Sequence, residues 1–470
     1  QIPVADLELA SITRLSDVLQ GRSAGVVVSQ PSGTTGSSSR IRIRGGASAS
    51  LSNNPLLVID GVRIDESAAA YNQAGSAFSI SLGGQSTSRL EDLNPEEIES
   101  IEILKGPAAA ALYGTAAATG VIQVTTRRGR AGPAEWNVYS EQGLILERNP
   151  WRANYLQLGL FEDGSEDACY TFDQAEDACT PTQLLAWNPL MDREEGDGVS
   201  NPTLGPASPF RDGNRQTYGL NVSGGNDVIR YFLSGEIDDE KGIYQNNNRD
   251  RVSLRANLSG SLRDDLEVTL NSGWITSDLQ VPWGDNIDNP IADAITGAPE
   301  DDDEFRGYAT ETPATYALVD SRQGLRRLIG SLNATYQPLT WLSVVGTAGL
   351  DVANRHDSET VPPETLSSGD FPEGSRESNR IEVSNYTANL GATATTPIGR
   401  SILSTTSGGA QYHQEIFRGT YGRGAQLLAG TSSLAGANAR LVADEQNEEV
   451  VTLGAYVQQQ FGFNDRLFVT

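Results

Sequence analysis

The sequence of 470 residues predicts an α/β domain over residues 1–133, followed over residues 134–470 by antiparallel strands of a transmembrane β-barrel. Three observations predict this fold. The hydrophobic pattern changes near residue 133 from mixed helix and strand signals to a period of two. The connections between the later strands alternate between long and short. No run of about 18 apolar residues occurs, which excludes helical membrane spans, whereas barrel strands are only half apolar.

Short motifs in residues 1–133 mark the first domain's helices and strands. An apolar stripe over residues 11–20 predicts a helix. Asn94, followed by Pro95 and two glutamates, has the residue types that begin helices. Alternating, apolar or β-branched runs predict three strands, at residues 40–44, 56–59 and 121–126.

Eleven later segments alternate apolar with polar residues. In one of them, Val252, Leu254 and Leu258 alternate with Ser253 and Arg255. This period is typical of strands with one apolar face. The predicted strands lie near 134–147, 214–225, 227–240, 248–262, 265–277, 325–337, 340–354, 380–396, 400–417, 447–462 and from 465 onward.

Every second connection between these strands is long. Tight turns at 224–227 and 263–265 are separated by a longer segment, and residues 148–213 and 278–324 form much longer ones. Outer-membrane barrels have this pattern, with short turns at one end and long loops at the other. Aromatic residues near strand ends agree with interfacial girdles. The alternative is a soluble β-sandwich or solenoid, which would not send every second connection outward so regularly.

Composition and missing motifs argue against several classes of function. The chain has 34 basic and 61 acidic residues, a net charge of −27, which argues against a nucleic-acid partner. Its two histidines lie in different contexts, and no nucleophile-elbow, zincin or phosphate-loop motif occurs. We therefore expect no enzyme activity, no cofactor and no metal site.

Two features of the long loops have simple alternatives. Cys169 and Cys179 lie in the first long loop, where a disulfide would suit an oxidising exterior, and free thiols are the alternative. Residues 301–304 are four consecutive acids, for which a solvated loop is favoured over a calcium site because the interspersed glycine of a calcium loop is missing.

Five motifs in the first 130 residues occur in a specific order and spacing. They are SDVLQGRSAGV at 16–26, IRIRG at 41–45, NPLLVIDGV at 54–62, LNPEEIESIEILKGPAAAALYG at 93–114 and GVIQVTTRRG at 120–129. Together they resemble the plug domain of TonB-dependent outer-membrane receptors of the SusC/RagA-like branch. The later strands agree with this family by pattern only.

The resemblance implies a transporter in the lipid of a Gram-negative outer membrane. Such a receptor imports oligosaccharides or peptides with a SusD-like surface lipoprotein, and the TonB-ExbB-ExbD complex supplies the energy by pulling on the plug. A TonB-dependent siderophore or cobalamin receptor is the nearest alternative. A porin or adhesin leaves the plug motifs unexplained, and a barrel-attached hydrolase has no motif to support it.

The family also implies a longer protein. Its barrels have about 22 strands, so eleven are about half of one. We expect the chain to be a fragment cut at both ends, without a signal peptide or a TonB-contacting segment, and not competent for transport by itself.

Two groups of residues are candidates for function. Arginines of the plug are predicted to pair with acids on the inward barrel face as a releasable lock, and simple solvation of strand edges is the alternative. This group comprises Arg42, Arg44, Arg127 and Arg128, with Glu236 or Glu267 as partners. Polar and aromatic residues of the plug apex and of the long loops are predicted to contact substrate, and a passive loop is the alternative. This group comprises Tyr71, Asn72, Gln73, Phe78, Trp187, Trp283 and Tyr308.

Overall fold

The structure is a computed structural model of the chain, and the statements below concern the residues that it describes. These are 2–3, 15–29, 33–37, 39–46, 53–64, 92–105, 113–114, 117–192, 207–283, 289–297, 305–363, 373–399, 401–428, 430–464 and 467–470.

The N-terminal domain is built on a small mixed sheet. Its strands are ordered β1-β6-β7-β4-β5, with β4 parallel to β7, and β2 pairs with β3 as a separate ribbon. One short helix, α1, packs against β2. The elements are β1 (Ile2–Pro3), α1 (Leu15–Leu19), β2 (Val26–Ser29), β3 (Arg40–Ile43), β4 (Leu56–Ile59), β5 (Val62–Ile64), β6 (Ile98–Leu104) and β7 (Val121–Thr126).

The predicted helix after Asn94 is wrong. The Asn94 side chain does accept a hydrogen bond from the Glu96 backbone N–H at 2.8 Å, but it caps only the 3-10 turn Pro95–Glu97. The chain then enters β6, because its alternating isoleucines pair with β7 and bury Ile98 and Ile101 in the domain core. Burial in a sheet therefore overrides a good helix start.

The remaining strands run nearly to the end of the chain. They are β8 (Gly132–Ile145), β9 (Asn154–Phe161), β10 (Glu166–Ala168), β11 (Cys179–Trp187), β12 (Gly213–Gly225), β13 (Ile229–Lys241), β14 (Asn248–Arg263), β15 (Leu266–Val281), β16 (Asp320–Leu339), β17 (Leu342–Val361), β18 (Ser375–Ile398), β19 (Ile402–Leu427), β20 (Ala437–Phe463) and β21 (Leu467–Val469).

Eleven of these strands form one large antiparallel sheet, which confirms the predicted fold. The sheet contains β8 and β12 to β21, each strand pairs with its neighbours in this order, and β8 and β21 are the edges. Several strands are longer than predicted, because they continue into segments that the sequence pattern assigned to loops. The predicted strand at 325–337, for example, is Asp320–Leu339.

The large sheet buries its polar face and exposes its apolar face. Along β14, Arg251, Arg255 and Asn257 are buried against the N-terminal domain, whereas Leu254 is 50% exposed and Leu258 is 42% exposed. A water-soluble sheet has the opposite arrangement, and a barrel that meets lipid on its outside requires this one.

The first long loop has regular secondary structure, which the sequence pattern does not predict. It contains a second sheet of order β10-β9-β11 and the helix α2 (Thr171–Ala175). Cys169 and Cys179 are joined by a disulfide, with a Cα–Cα distance of 6.0 Å. A Cβ on Gly159 would lie 2.6 Å from the Cβ of Cys169, so only glycine fits beneath the disulfide.

Two further helices, α3 (Pro290–Thr296) and α4 (Pro313–Ala317), lie in the loop between β15 and β16. Within the described residues, every helix is too short to cross a bilayer.

If the exposed apolar face of β14 meets lipid, the destabilisation caused by an added charge should depend strongly on its position along the strand. Leu258→Arg places a cation near the middle of the strand, and we expect it to lower the free energy of unfolding in lipid vesicles by about 2–4 kcal/mol. Leu262→Arg, on the same face but beside the tight turn, is the control and should lower it by about 0–1 kcal/mol. Urea titration in vesicles measures both values. Equal effects at the two positions would contradict a lipid-facing surface.

Candidate functional site

The charged contact between the N-terminal domain and the large sheet is centred on Arg255 of β14. Its side chain is 2% exposed, and its Nε donates to Oε2 of Glu97 at 2.6 Å. The other carboxylate oxygen of Glu97 accepts a hydrogen bond from the Ser234 hydroxyl at 2.7 Å. Glu97 ends the 3-10 turn that Asn94 begins, so the local capping motif positions this buried carboxylate.

A second carboxylate of the N-terminal domain approaches the same arginine. Asp60 lies in the turn after β4 with a positive φ of 48°, and its Oδ2 is 3.9 Å from Nη1 of Arg255. Both its oxygens are held by Thr126, which donates from its backbone N–H at 3.0 Å and from its hydroxyl at 2.7 Å. Asn257 of β14 in turn donates to the Thr126 hydroxyl oxygen at 2.8 Å. One network therefore joins the ends of β4 and β7 to the large sheet.

Arg327 of β16 forms a third contact. Its side chain is fully buried and makes two parallel hydrogen bonds to Asp351 of β17, at 2.7 and 2.8 Å. Its Nη1 also lies 3.5 Å from Asp92 of the N-terminal domain. The next inward residue of the strand, Ile329, belongs to the hydrophobic core of the N-terminal domain. Here the two units share a core as well as a charge contact.

Hydrogen bonds that are not ion pairs connect the two units at other points. Thr35 donates to Glu240 at 2.8 Å through its hydroxyl and to Asn247 at 2.8 Å through its backbone. Asn94 donates to the Tyr139 hydroxyl oxygen at 3.0 Å, and that hydroxyl donates to Glu236 at 2.7 Å. These contacts spread the attachment to β8, to β13 and to the connection between β13 and β14.

The predicted lock therefore has the wrong polarity. Among the residues that the structure describes, the ion pairs across this contact join carboxylates of the N-terminal domain to arginines of the large sheet. Arg42 donates to Asn54 at 2.6 Å, and Arg127 lies 3.7 Å from Glu96, so both are engaged inside their own domain. The other predicted members lie elsewhere: Arg44, Arg128 and Glu267 are exposed, and Glu236 pairs with Arg251 of its own sheet at 2.8 Å.

A small cavity lies between β5 and the strands β18 to β20. It has a volume of about 140 Å³ and is lined by Arg63, Tyr113 and His413, among others. The Arg63 guanidinium donates to the backbone carbonyl of Tyr113 at 2.8 Å, and the Arg63 backbone N–H donates to the Thr387 hydroxyl oxygen at 3.4 Å. Burial lowers the pKa of Arg63 and raises the pKa of Tyr113, so the cavity is a partly desolvated polar space.

The aromatic residues predicted to contact substrate in the long loops are buried instead. Trp187, Trp283 and Tyr308 are 5%, 8% and 3% exposed. Tyr308 donates its hydroxyl to the backbone carbonyl of Ala207 at 2.8 Å, and burial raises its pKa. Trp283 and Tyr308 line a cavity of about 270 Å³ between the loops. They pack within the loops, and their contact with substrate stays a prediction.

One buried carboxylate organises this loop cluster. Asp293 of α3 is 6% exposed and accepts hydrogen bonds from Thr310, from the backbone of Glu311 and from the hydroxyl of Tyr316, at 2.9, 2.9 and 3.0 Å. Asn289 caps the same helix. The loops above the sheet are therefore an ordered body. Tyr71, Asn72, Gln73, Phe78 and the acidic residues 301–304 lie outside the described residues.

The sequence of β14 itself indicates that its inward arginines need buried anionic partners, although the predicted lock does not include these arginines. Arg251 and Arg255 alternate with apolar residues on β14, and a cation on the non-lipid face needs a buried anion. The partner Glu97 lies 158 residues earlier, so the strand pattern alone could not identify it.

Comparisons with known proteins agree with this geometry. Residues 1–121 match the family model described as the TonB-dependent receptor plug domain. The chain is 29% identical over 309 residues to the TonB-dependent receptor SusC of Bacteroides thetaiotaomicron, an alignment that covers 66% of the chain and 26% of that protein. It is 27% identical over 349 residues to the TonB-dependent receptor P26 of Formosa agariphila, which covers 72% of the chain and 31% of the relative.

Solved structures show the same fold. The RagAB peptide transporter superposes with a TM-score of 0.71 at 17% identity, over 99% of this chain and 54% of that one. The ferric citrate transporter FecA superposes with a TM-score of 0.58 at 13% identity, over 98% of this chain and 53% of that one. The chain thus spans about half the length of these transporters and under a third of the length of the two curated relatives.

Because Arg255 is buried, we expect substitutions of the adjacent Glu97 and Glu96 to destabilise the N-terminal domain by very different amounts. Glu97→Gln leaves the guanidinium without its nearest anion, and we expect the opening free energy of the N-terminal domain to fall by about 3–5 kcal/mol. Glu96→Gln removes only the partly exposed pair with Arg127 and should lower it by less than about 1 kcal/mol. Hydrogen exchange of the β7 amides measures both changes. Similar protection in the two variants would show that the Arg255 contact does not hold the domain.

Proposed function

We propose that this chain, which resembles SusC/RagA-like TonB-dependent receptors of the outer membrane, serves active import of oligosaccharides or peptides through movement of its plug. The observation that carries the proposal is the buried charge contact of Arg255 with Glu97 and Asp60. We call residues 1–126 the plug and the eleven-stranded sheet the barrel wall. Import then requires the plug to move away from the barrel wall, which breaks the ion pairs of Arg255 with Glu97 and Asp60.

The arginines of the barrel wall differ in which ion pairs they would keep if the plug moved away. Arg327 keeps its paired hydrogen bonds to Asp351, and Arg251 keeps Glu236 and Asp238 at 2.8 and 3.2 Å. Both cations therefore stay compensated inside the wall. Among the described residues, Arg255 has ion pairs only with the plug carboxylates Glu97 and Asp60.

This difference supports a releasable lock. An uncompensated buried charge is costly, so the Arg255 contact resists displacement in the resting state. Water that enters as the plug moves would solvate the guanidinium and remove much of that cost. External pulling through the TonB-ExbB-ExbD complex supplies the work in this scheme, and the hydrogen bonds of Thr35, Asn94 and Asn257 break with it.

The substrate class rests on the relatives. SusC is the curated relative with 29% identity, and the RagAB structure is described as that of a peptide importer. An import path for polar oligomers suits the wall's inward face, which carries buried serine, asparagine and threonine side chains. We accordingly propose both oligosaccharides and peptides as candidate substrates.

A SusD-like surface lipoprotein is the proposed external partner. The small sheet β10-β9-β11 in the first long loop presents exposed apolar side chains, with Tyr155 at 65% and Leu184 at 59% exposure. The disulfide between Cys169 and Cys179 and the buried Trp187 hold this sheet in place. A rigid element with exposed apolar side chains is suited to protein contact.

A reversible cross-link tests plug movement. The Asn257 amide nitrogen lies 2.8 Å from the Thr126 hydroxyl oxygen, so Thr126→Cys with Asn257→Cys introduces a cysteine pair across the contact between plug and wall. Both substitutions are made in the full-length receptor expressed in cells, and we expect the oxidised double variant to lose uptake and dithiothreitol to restore it. Cells are assayed with labelled maltodextrins and with a labelled tryptic peptide pool, and a protonophore should abolish wild-type uptake of the imported class. The single cysteine variants are the controls. Wild-type uptake with the cross-link fully formed would refute plug movement.

Surface substitutions test the partner. We expect Tyr155→Ser with Leu184→Ser to weaken co-purification of a co-expressed SusD-like lipoprotein by about tenfold or more, because each side chain would lose about 1.5–3 kcal/mol of apolar burial. Ile295→Ser is the control, since Ile295 is 55% exposed but belongs to α3. Unchanged co-purification of the double variant would rule out this docking surface.

A further inference from the structure

A basic cluster lies on the outer face of the barrel wall, on the side opposite the plug. Arg326, His356 and Arg380 are exposed and belong to the adjacent strands β16, β17 and β18. In the strand ladder, His356 lies directly across from Arg380, and Arg326 lies across from Asn354, two residues before His356. Arg418 of β19 lies across from Glu382 and extends the cluster.

The strand alternation fixes the direction of these side chains. Arg327 points inward, where it is fully buried between Asp351 and the plug carboxylate Asp92. Its neighbour Arg326 therefore points outward. The outward residues of β15 to β19 at this level line a cavity of about 610 Å³, which includes Arg326, His356, Arg380 and Arg418.

The cluster adjoins the apolar belt of the wall. Two residues nearer the tight turns, the ladder places Trp274, Leu328 and Val352 side by side. Trp274 and Leu328 are 39% and 44% exposed on the outer face. Two residues of a strand span about 7 Å. The basic cluster therefore begins where the apolar surface ends, on the side of the long loops, at the height of lipid headgroups.

The charges of the cluster are only partly compensated by the protein. Glu382 lies 3.6 Å from Arg418 and is engaged there. Asp278 lies at the β15 edge of the cavity. Within the described ranges of the chain, no ion pair involves Arg326 or Arg380. Two exposed guanidinium groups in a protein of net charge −27 thus remain available to an external anion.

We propose that this cluster binds phosphate groups of a phosphorylated lipid in the outer leaflet of the membrane. Guanidinium forks match the geometry of phosphate oxygens and form short charge-assisted hydrogen bonds with them. The apolar row of Trp274 and Leu328 directly below would contact the acyl chains of the same molecule. The adjoining phosphate and acyl-chain contacts favour a lipid over free phosphate. The site thereby fixes the height and rotation of the wall in the membrane.

A lipid-binding titration tests the proposal. The protein, purified in mild detergent, is titrated with bis-phosphorylated lipid A and with enzymatically dephosphorylated lipid A, and bound lipid is counted by native mass spectrometry. We expect wild-type protein to bind the phosphorylated form at least about tenfold more tightly, since one charge-assisted contact suffices for that ratio. Arg326→Gln with Arg380→Gln should bind the two forms equally.

Matched variants separate this site from general charge effects. Arg322→Gln is the control, because Arg322 lies four residues away on the outer face of β16 and is already paired with Asp320 at 2.8 Å. It should retain the wild-type preference. Arg326→Lys with Arg380→Lys keeps the charge without the fork and should bind with intermediate affinity. A difference in gel mobility between heated and unheated samples shows that each variant is folded. If the double glutamine variant does not fold, the single variant Arg380→Gln replaces it.

Three outcomes would overturn the proposal. The first is equal wild-type affinity for phosphorylated and dephosphorylated lipid. The second is a loss in Arg322→Gln as large as in the double glutamine variant. The third is displacement of bound lipid by inorganic phosphate at the same concentration, which would identify a simple anion site.

Discussion

A cation enclosed between two structural units needs an anion within reach, and in the described part of the chain the anions paired with Arg255 all lie across the interface. Its position on β14 is imposed by strand alternation, which sends every second side chain away from lipid. The plug provides two carboxylates for this cation, Glu97 at the end of a 3-10 turn and Asp60 in a left-handed turn. Both carboxylates lie where the chain changes direction, so their placement depends on the folded plug.

The buried polar face of the wall makes the plug a structural partner of the wall. Asn257 and Arg327 on the inward face have no access to lipid and little to water, so they must find partners in the lumen. The plug supplies the Thr126 hydroxyl and Asp92, while Ile329 shares its core. Polar and apolar contacts alternate along this interface. Plug and wall consequently stabilise each other, and a movable plug must break a limited set of such contacts.

The sequence predicts the fold of this chain better than its site. The eleven wall strands follow from a local period of two, which each segment displays by itself, and the structure reproduces them. The turn after Asn94 is mispredicted because the pairing of β6 with β7 outweighs local capping. The sheet in the first long loop was missed because β10 has only three residues and Pro181 interrupts β11. The pairing of Arg255 with Glu97 depends on the docking of two units and leaves no local periodic trace.

The neighbouring arginines of β16 show how much depends on register. Arg327 points inward to Asp351 and the plug, and Arg326 points outward above the apolar belt. A shift of one residue would exchange the two, placing the inner cation against the membrane and the outer one in the lumen. The same shift would turn Leu328 inward and Ile329 outward, removing an isoleucine from the plug core. Charge and packing on both faces therefore specify a single register, and this register holds the inward arginines in reach of the plug.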